Sequence, residues 1–450
     1  MKIKLILLIL LFMRSVCHSQ TWESYATIQG SGTTSMQMSS NGDLFFTTAS
    51  YNYNIPGGQT AGVYRILNGS FLTAQINPTG GTGFNARTIE TEGDLTFVSF
   101  WGNPSTTTET LYRSTNKGDS WSTSFTIGLS NNIFSIKADP DNNNVLIGAR
   151  NGVYKSTNNG LSFTLSNTGM ASNSWTYDIE KVGSKYLAAT SNGLYQSTNN
   201  GDLWTNTIGI PITDTSKTLA VIPSATGDKI IAGTEDGNIY ISDDDLFQYE
   251  LLFGFENSDI IAMLVLLGIQ PTEFNLFASA FPMNLDVLGN GLYYSYNGGT
   301  NWSNFGSGIP SPYKISALGG KISGSTITMY AGSFENTSNG VKIYKTSYTV
   351  GIKNLSSAIP ENFTLHQNYP NPFNPSTKIK FEIQKASDVK LVVYNSLGKE
   401  ISTLVNEKLN AGTYETDFNA ADYNSGVYFY KLFISGEQSF VETRKMILTK

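Results

Sequence analysis

The chain has 450 residues, a formal net charge of -6 and only 14% charged residues. Without a basic stretch to neutralise a phosphate backbone, no nucleic-acid partner is expected. With one cysteine, Cys17, and two histidines, His18 and His366, residues 20–351 lack the side chains for Ser/His/Asp or Cys/His catalysis and for a His-based zinc site, so no metal and no cofactor is expected there.

Lys2 and Lys4 precede an apolar run over 5–13, and Cys17 and Ser19 supply small residues where a signal peptidase reads. Residues 1–19 therefore read as a removed secretory signal, leaving a mature chain without a thiol. No other apolar run approaches the ~20 residues of a spanning helix, so no transmembrane segment is expected in the mature chain. The nearest, 260–269, reads as a buried strand.

Self-similarity begins after the signal. Gly152-Val153-Tyr154-Lys155-Ser156, Gly193-Leu194-Tyr195-Gln196-Ser197 and Gly291-Leu292-Tyr293-Tyr294-Ser295 share a pattern, with weaker copies at Tyr64, Tyr112, Tyr240 and Tyr344. The spacing, about 40 to 50 residues, points to a propeller or a solenoid. Within a copy, 133–138, 145–148, 152–156 and 162–165 are short apolar or alternating runs between Asn, Asp and Gly, which predicts four strands per copy. Helical periodicity is nearly absent. The expected fold class is all-β, with a seven-bladed β-propeller over 20–351. A ring must close without an open edge. The strand-like Thr21-Trp22-Glu23-Ser24-Tyr25 is expected to complete the last blade, whose own copy runs out before such a Trp.

Four copies carry a turn motif after the Tyr strand: Ser114, Asn116, Gly118 and Trp121; Ser156, Asn158, Gly160 and Phe163; Ser197, Asn199, Gly201 and Trp204; Ser295, Asn297, Gly299 and Trp302. This resembles the Asp-box, or bacterial neuraminidase (BNR) repeat, with Asn in place of the usual Asp. The resemblance implies local fold clips on the face away from the ligand mouth. A further copy, Ser242-Asp243-Asp244-Asp245-Leu246, has lost its Gly and Trp, and the loosest turn is expected there. Sialidases, xyloglucan-degrading enzymes, sortilin-like receptors and photosystem assembly factors share the box, so it leaves function open.

A sialidase would need three converging arginines, and Arg65, Arg87, Arg113 and Arg150 show no such spacing. Glycoside hydrolysis needs only two carboxylates. Asp178, Glu180, Asp214, Asp259, Glu273 and Asp286 are the candidates, each also readable as a solvated loop residue. Asp139-Pro140-Asp141-Asn142-Asn143-Asn144 reads as a hairpin rather than a calcium loop, since it lacks the turn glycine and the later glutamate.

The links between second and third strands are minimal at Arg150-Asn151-Gly152, Ser191-Asn192-Gly193 and Glu235-Asp236-Gly237, and longer over 281–291, 334–340, 50–62 and 101–110. One half of the mouth is thus expected to be raised, carrying Tyr51, Tyr53, Trp101, Phe281 and Phe334 as ligand-binding candidates. Two readings stay open: a non-catalytic propeller binding an extracellular glycan or protein ligand, and a carbohydrate-active hydrolase with a carboxylate pair at the mouth.

Residues 352–362, with Ser356, Ser357 and Pro360, read as a linker. Beyond them, strand-like runs over 377–384, 389–395, 400–406, 412–419, 426–434 and 440–448 predict a small Ig-like antiparallel β-sandwich. Asn368-Tyr369-Pro370-Asn371-Pro372-Phe373-Asn374-Pro375, Val393-Tyr394-Asn395-Ser396-Leu397-Gly398 and Lys445-Met446-Ile447-Leu448-Thr449-Lys450 mark 363–450 as similar to the type A C-terminal sorting domain of the type IX secretion system of Bacteroidetes-like bacteria. That resemblance implies recognition by the outer-membrane translocon and a sortase. The expected location is outside the cell or on the outer-membrane surface, after signal-peptide export to the periplasm.

Overall fold

The structure is a computed structural model that describes residues 22–28, 32–49, 61–68, 70, 73–78, 85–101, 108–128, 131–207, 210–211, 213–222, 228–242, 249–255, 258–267, 274–282, 291–295, 299, 302–310, 314–323, 326–334, 341–349, 352–356, 358–420, 423–435 and 439–449. The signal segment 1–19 lies outside them. Two compact units divide the chain, one spanning Thr21–Gly351 and one beginning at Ile352.

In the first unit, each repeat builds an antiparallel four-stranded blade, and the blades of the first and last repeats are joined through Gly32 and Phe334 into one eight-stranded sheet. Blade 3 is representative: Ile133–Asp139, Asn144–Ala149, Gly152–Ser156 and Thr164–Leu165 pair in that order from the innermost strand outward. Its second strand is buried at all six positions, because each blade is covered on both faces by its neighbours; such a strand reads as a continuous apolar run rather than an alternation. Pro140–Asn142 form the tight turn between the first two strands, with Asn143 at φ 55°, the hairpin expected of that segment.

The innermost strands of the seven blades are Gly32–Met38, Asn85–Glu92, Ile133–Asp139, Thr176–Val182, Ser216–Ile222, Ser258–Leu267 and Lys314–Ser323. Each packs beside the next, and Gly32–Met38 packs beside Lys314–Ser323, so the ring is closed. Among the described residues, an apolar cluster fills every one of the seven interfaces between blades. The last blade takes its outermost strand from the start of the chain: Glu23–Ile28 runs antiparallel to Val341–Thr349. Trp22 seals this join as a repeat residue would. Its indole Nε1 donates to the Phe305 carbonyl at 2.7 Å, as Trp121 does to Ile76 and Trp204 to Ser166 one blade back.

The turns between third and fourth strands repeat one hydrogen-bond pattern. Gly118 N donates to Ser114 Oγ at 2.8 Å and Ser120 N to Asn116 Oδ1 at 2.9 Å. The same bonds recur from Gly160 and Ser162 to Ser156 and Asn158, and from Gly201 and Leu203 to Ser197 and Asn199. An amide oxygen accepts here as a carboxylate would, so Asn suffices. Gly299 N bonds Ser295 Oγ at 2.8 Å; Asn297 and 243–246 lie outside the described residues. The residue after the repeat tyrosine braces the next turn: Arg65 bonds the Lys117 carbonyl and Asp119, Arg113 the Asn159 carbonyl, and Lys155 Asp202.

The second unit is a sandwich of two four-stranded sheets. One contains Ile352–Ser356, Gly412–Asn419, Ser376–Ile383 and Thr364–Leu365 in that order; the other contains Glu400–Leu409, Ser387–Asn395, Gly426–Ser435 and Phe440–Leu448. The linker reading of 352–362 is corrected at its start, since Ile352–Ser356 form an edge strand on Gly412–Asn419. Backbone pairing outweighs the polar composition of that stretch. The proline-rich segment before Ser376 clamps the terminal strand. Phe373 is buried, its N donates to the Ile447 carbonyl at 3.0 Å, and Thr449 N donates to the Phe373 carbonyl at 3.0 Å. Asn368 Nδ2 donates to Thr377 Oγ1 and its N to Tyr430 Oη.

Candidate functional site

Strand order puts the start of each innermost strand, the end of the second and the link to the third at one end of the blade, the mouth; the clip turns lie at the other. At the mouth every innermost strand departs from regular pairing at one equivalent place. The shift skips Thr34, Phe134, Tyr177, Lys217, Ile261 and Ser316, and in blade 2 the pair Arg87 and Thr88. A β-bulge leaves one residue outside the ladder and re-aims it, a device frequent near binding sites. The backbone therefore presents variable side chains around the mouth, one from each of six blades and two from blade 2. In blades 2 to 5 these include Arg87, Phe134, Tyr177 and Lys217, in the order cation, aromatic, aromatic, cation.

These side chains join others into a ladder. The Arg87 guanidinium lies 4.3 Å from the Trp101 ring centroid and 5.7 Å from that of Phe134. Phe134 stacks near-parallel on Trp175 at 6.1 Å, and Arg150 covers Trp175 at 4.2 Å. Tyr177 adjoins both Phe134 and Trp175, and Lys217 sits 4.1 Å from its centroid. Cation–π contacts of this kind hold side chains in place as well as attracting them. Arg87 pairs with Glu109 at 3.5 Å and Lys217 with Glu235 at 3.4 Å. Glu109 is fully buried; burial pushes its carboxyl above the usual range, and Arg87 opposes that rise.

Below this rim, carboxyl and amide groups cap the free edge of the neighbouring blade. Gln37 Oε1 accepts from Thr91 N at 2.8 Å, Glu90 Oε1 from Ala138 N at 3.2 Å, Glu109 Oε2 from Ile133 N at 3.1 Å and Asp178 Oδ2 from Leu219 N at 2.8 Å. An innermost strand has no partner on its channel side, and these groups satisfy N–H donors left there. Asp178 and Glu180, read from sequence as loop residues, in fact lie on the innermost strand of blade 4. Asp178 Oδ1 also accepts from Ile179 N at 2.9 Å, and Glu180 is held by Lys137 Nζ at 2.6 Å. Burial pushes Asp178 up to about 7, with Glu180 adding to the rise, and burial likewise pushes Glu90 up to about 7 against the pull of Lys137. Asp214 accepts from Tyr240 Oη at 3.1 Å.

Of the five ligand candidates read from link length, Trp101 enters the ladder. Phe281 and Phe334 occupy mouth-side strand ends, paired with Asp259 and with Lys314 and Gly32 respectively; Tyr51 and Tyr53 lie outside the described residues. Phe134, Trp175, Tyr177 and Lys217 escaped the sequence reading, which weighed Arg87 and Arg150 only as members of a sialidase triad. A signal did exist: in every copy but the second the bulged residue directly precedes a small or short polar one, as in Phe134-Ser135, Tyr177-Asp178 and Lys217-Thr218.

Residues 367–449 match the sequence model of the secretion system C-terminal sorting domain. This segment is a type IX sorting domain, and it addresses the chain to export. Among solved structures, YCF48 from Cyanidioschyzon merolae is similar at a TM-score of 0.50 and 14% identity, covering 72% of this chain and 98% of its own. The extracellular domain of BT4673 from B. thetaiotaomicron is similar at 0.50 and 10% identity, covering 95% of this chain and 59% of its own. At such identities the likeness concerns the fold, a β-propeller. No curated protein sequence matches the chain.

Proposed function

We propose that the chain is an exported binding protein whose propeller holds an extracellular glycan or protein ligand at its mouth without reacting on it. The carrying observation is the ladder of Trp101, Arg87, Phe134, Trp175 and Arg150, built on bulges that set side chains outside the sheet. The hydrolase reading is weaker among the described residues, where Asp178 spends both oxygens on backbone N–H groups, Glu180 is clasped by Lys137 and Asp214 accepts from Tyr240; Glu273, Asp286 and the side chain of Asp259 lie outside them. A general acid or nucleophile needs a free oxygen facing substrate. A screen of the full chain against glycans and extracellular proteins, with a reducing-end assay on every glycan retained, is expected to show retention without product. Trp175→Ala should lower that retention about tenfold or more. Product release would decide for the hydrolase.

Residues 1–19 act in this reading as the secretory signal, residues 363–450 engage the translocon and sortase, and the mature protein ends outside the cell or on its surface. The turns at Ser114, Ser156, Ser197 and Ser295 serve as Asp-box clips. Deleting 440–450 removes the strand that pairs with Gly426–Ser435 and anchors Phe373, so the truncated chain should accumulate in the periplasm. Undiminished secretion would refute the export assignment.

A further inference from the structure

Resting on the mouth-binding reading, we infer that the ligand is an acidic polysaccharide and that Arg150 receives its anionic group. Arg150 sits exposed in the two-residue link of blade 3, its guanidinium carbon 4.2 Å from the Trp175 ring centroid. The cation–π contact restricts the guanidinium, which lowers the ordering cost of a contact to a carboxylate or sulfate. Arg87 and Lys217 on the same rim have carboxylate partners, as Arg65 does on the clip face. Arg150 has neither an ion pair nor a side-chain hydrogen bond among the described residues. A guanidinium held rigid, exposed and without a counter-charge is what an incoming anion would complete.

The surroundings favour a sugar chain over a peptide. Trp175 N donates to Ser191 Oγ at 3.1 Å, and Asn192 Oδ1 accepts from Ser174 Oγ and Ser191 Oγ at 2.8 and 3.0 Å. The Ser191 hydroxyl and the Asn192 amide, groups that both donate and accept, match the hydroxyls of a pyranose. A peptide docked by strand addition would want a free strand edge. Here Asn144–Ala149 is paired on both sides, and the link is only two residues long.

The test is titration of the full chain with polygalacturonate, alginate and hyaluronan as carboxylated polymers, heparin as a sulfated one, and methyl-esterified pectin and dextran as neutral ones. At least one acidic polymer is expected to bind, with the neutral polymers at least about tenfold weaker and Arg150→Gln losing about tenfold or more at an unchanged melting temperature. Preference for the carboxylated or the sulfated set assigns the anion as uronate or sulfate, and either upholds the inference. Equal binding of neutral polymers, or full affinity in Arg150→Gln, overturns it while leaving a binding propeller. Retention of a protein ligand with no polysaccharide bound also overturns it and spares the mouth reading; no ligand of any kind overturns both.

Discussion

The two faces of the propeller share one backbone plan and use it in opposite ways. At the clip turns, equivalent positions hold equivalent residues: Ser114, Ser156 and Ser197 all accept from a glycine N–H, and Arg65, Arg113 and Lys155 all reach the next turn. At the mouth, the bulge recurs in every blade but its occupant changes, from Thr34 through Arg87, Phe134 and Tyr177 to Ser316. Where side chains answer to their own backbone, repetition keeps them alike. Thr34 and Ser316 still bond backbone carbonyls of the neighbouring blade, whereas beside Gln37, Glu90, Glu109 and Asp178, which satisfy backbone N–H groups, Phe134 and Tyr177 turn to one another and to Trp175.

The largest expected break is in the ring itself. Deleting residues 20–28 removes the strand paired with Val341–Thr349, and thermal melting should lose its cooperative transition; Trp22→Ala alone should cost about 3–5 kcal/mol. An unchanged melting curve would refute closure by the first strand. Smaller is the effect of Gly160→Ala on the clip face. Gly160 sits at φ +79°, and an added Cβ would lie 2.4 Å from Phe97 Cε1, so a loss of about 1–3 kcal/mol is expected with mouth binding intact. A fall in ligand affinity larger than the fall in stability would mean that the two faces are not separable.

The smallest effect is a slope in pH. Glu90 is pushed from 4.5 up to about 7 in the folded chain, mainly by burial. The protonated form is thus favoured on folding: its contribution is full below pH 4.5 and is lost as pH rises through about 7. Glu90→Gln should flatten the decline of melting temperature between pH 5 and 7. A steeper decline in the variant would place the titration on another group.

Much of this architecture was legible beforehand. The recurring tyrosine, the four short runs per copy and the Trp22 segment led to seven blades and their closure, because propeller strands are local hairpins whose pattern repeats in sequence. The sorting domain was legible through its proline-rich segment and terminal strand. Less was legible at its border, where Ile352–Ser356 looked like a linker, and at the mouth, where Asp178 looked like a loop residue. Both misreadings have one cause: an edge strand and a capping carboxylate are defined by partners far along the chain, Gly412–Asn419 for one and Leu219 for the other.

The amino-acid sequence by itself determined the blade count, the clip turns, the closing strand and the export address, since each rests on contacts within a hairpin or on a periodic pattern. Only the tertiary structure decided the mouth. The bulge moves one or two residues of each innermost strand out of the alternating register, and the stacking of Arg87, Phe134, Trp175 and Arg150 joins side chains from neighbouring blades that no spacing within a single repeat brings together.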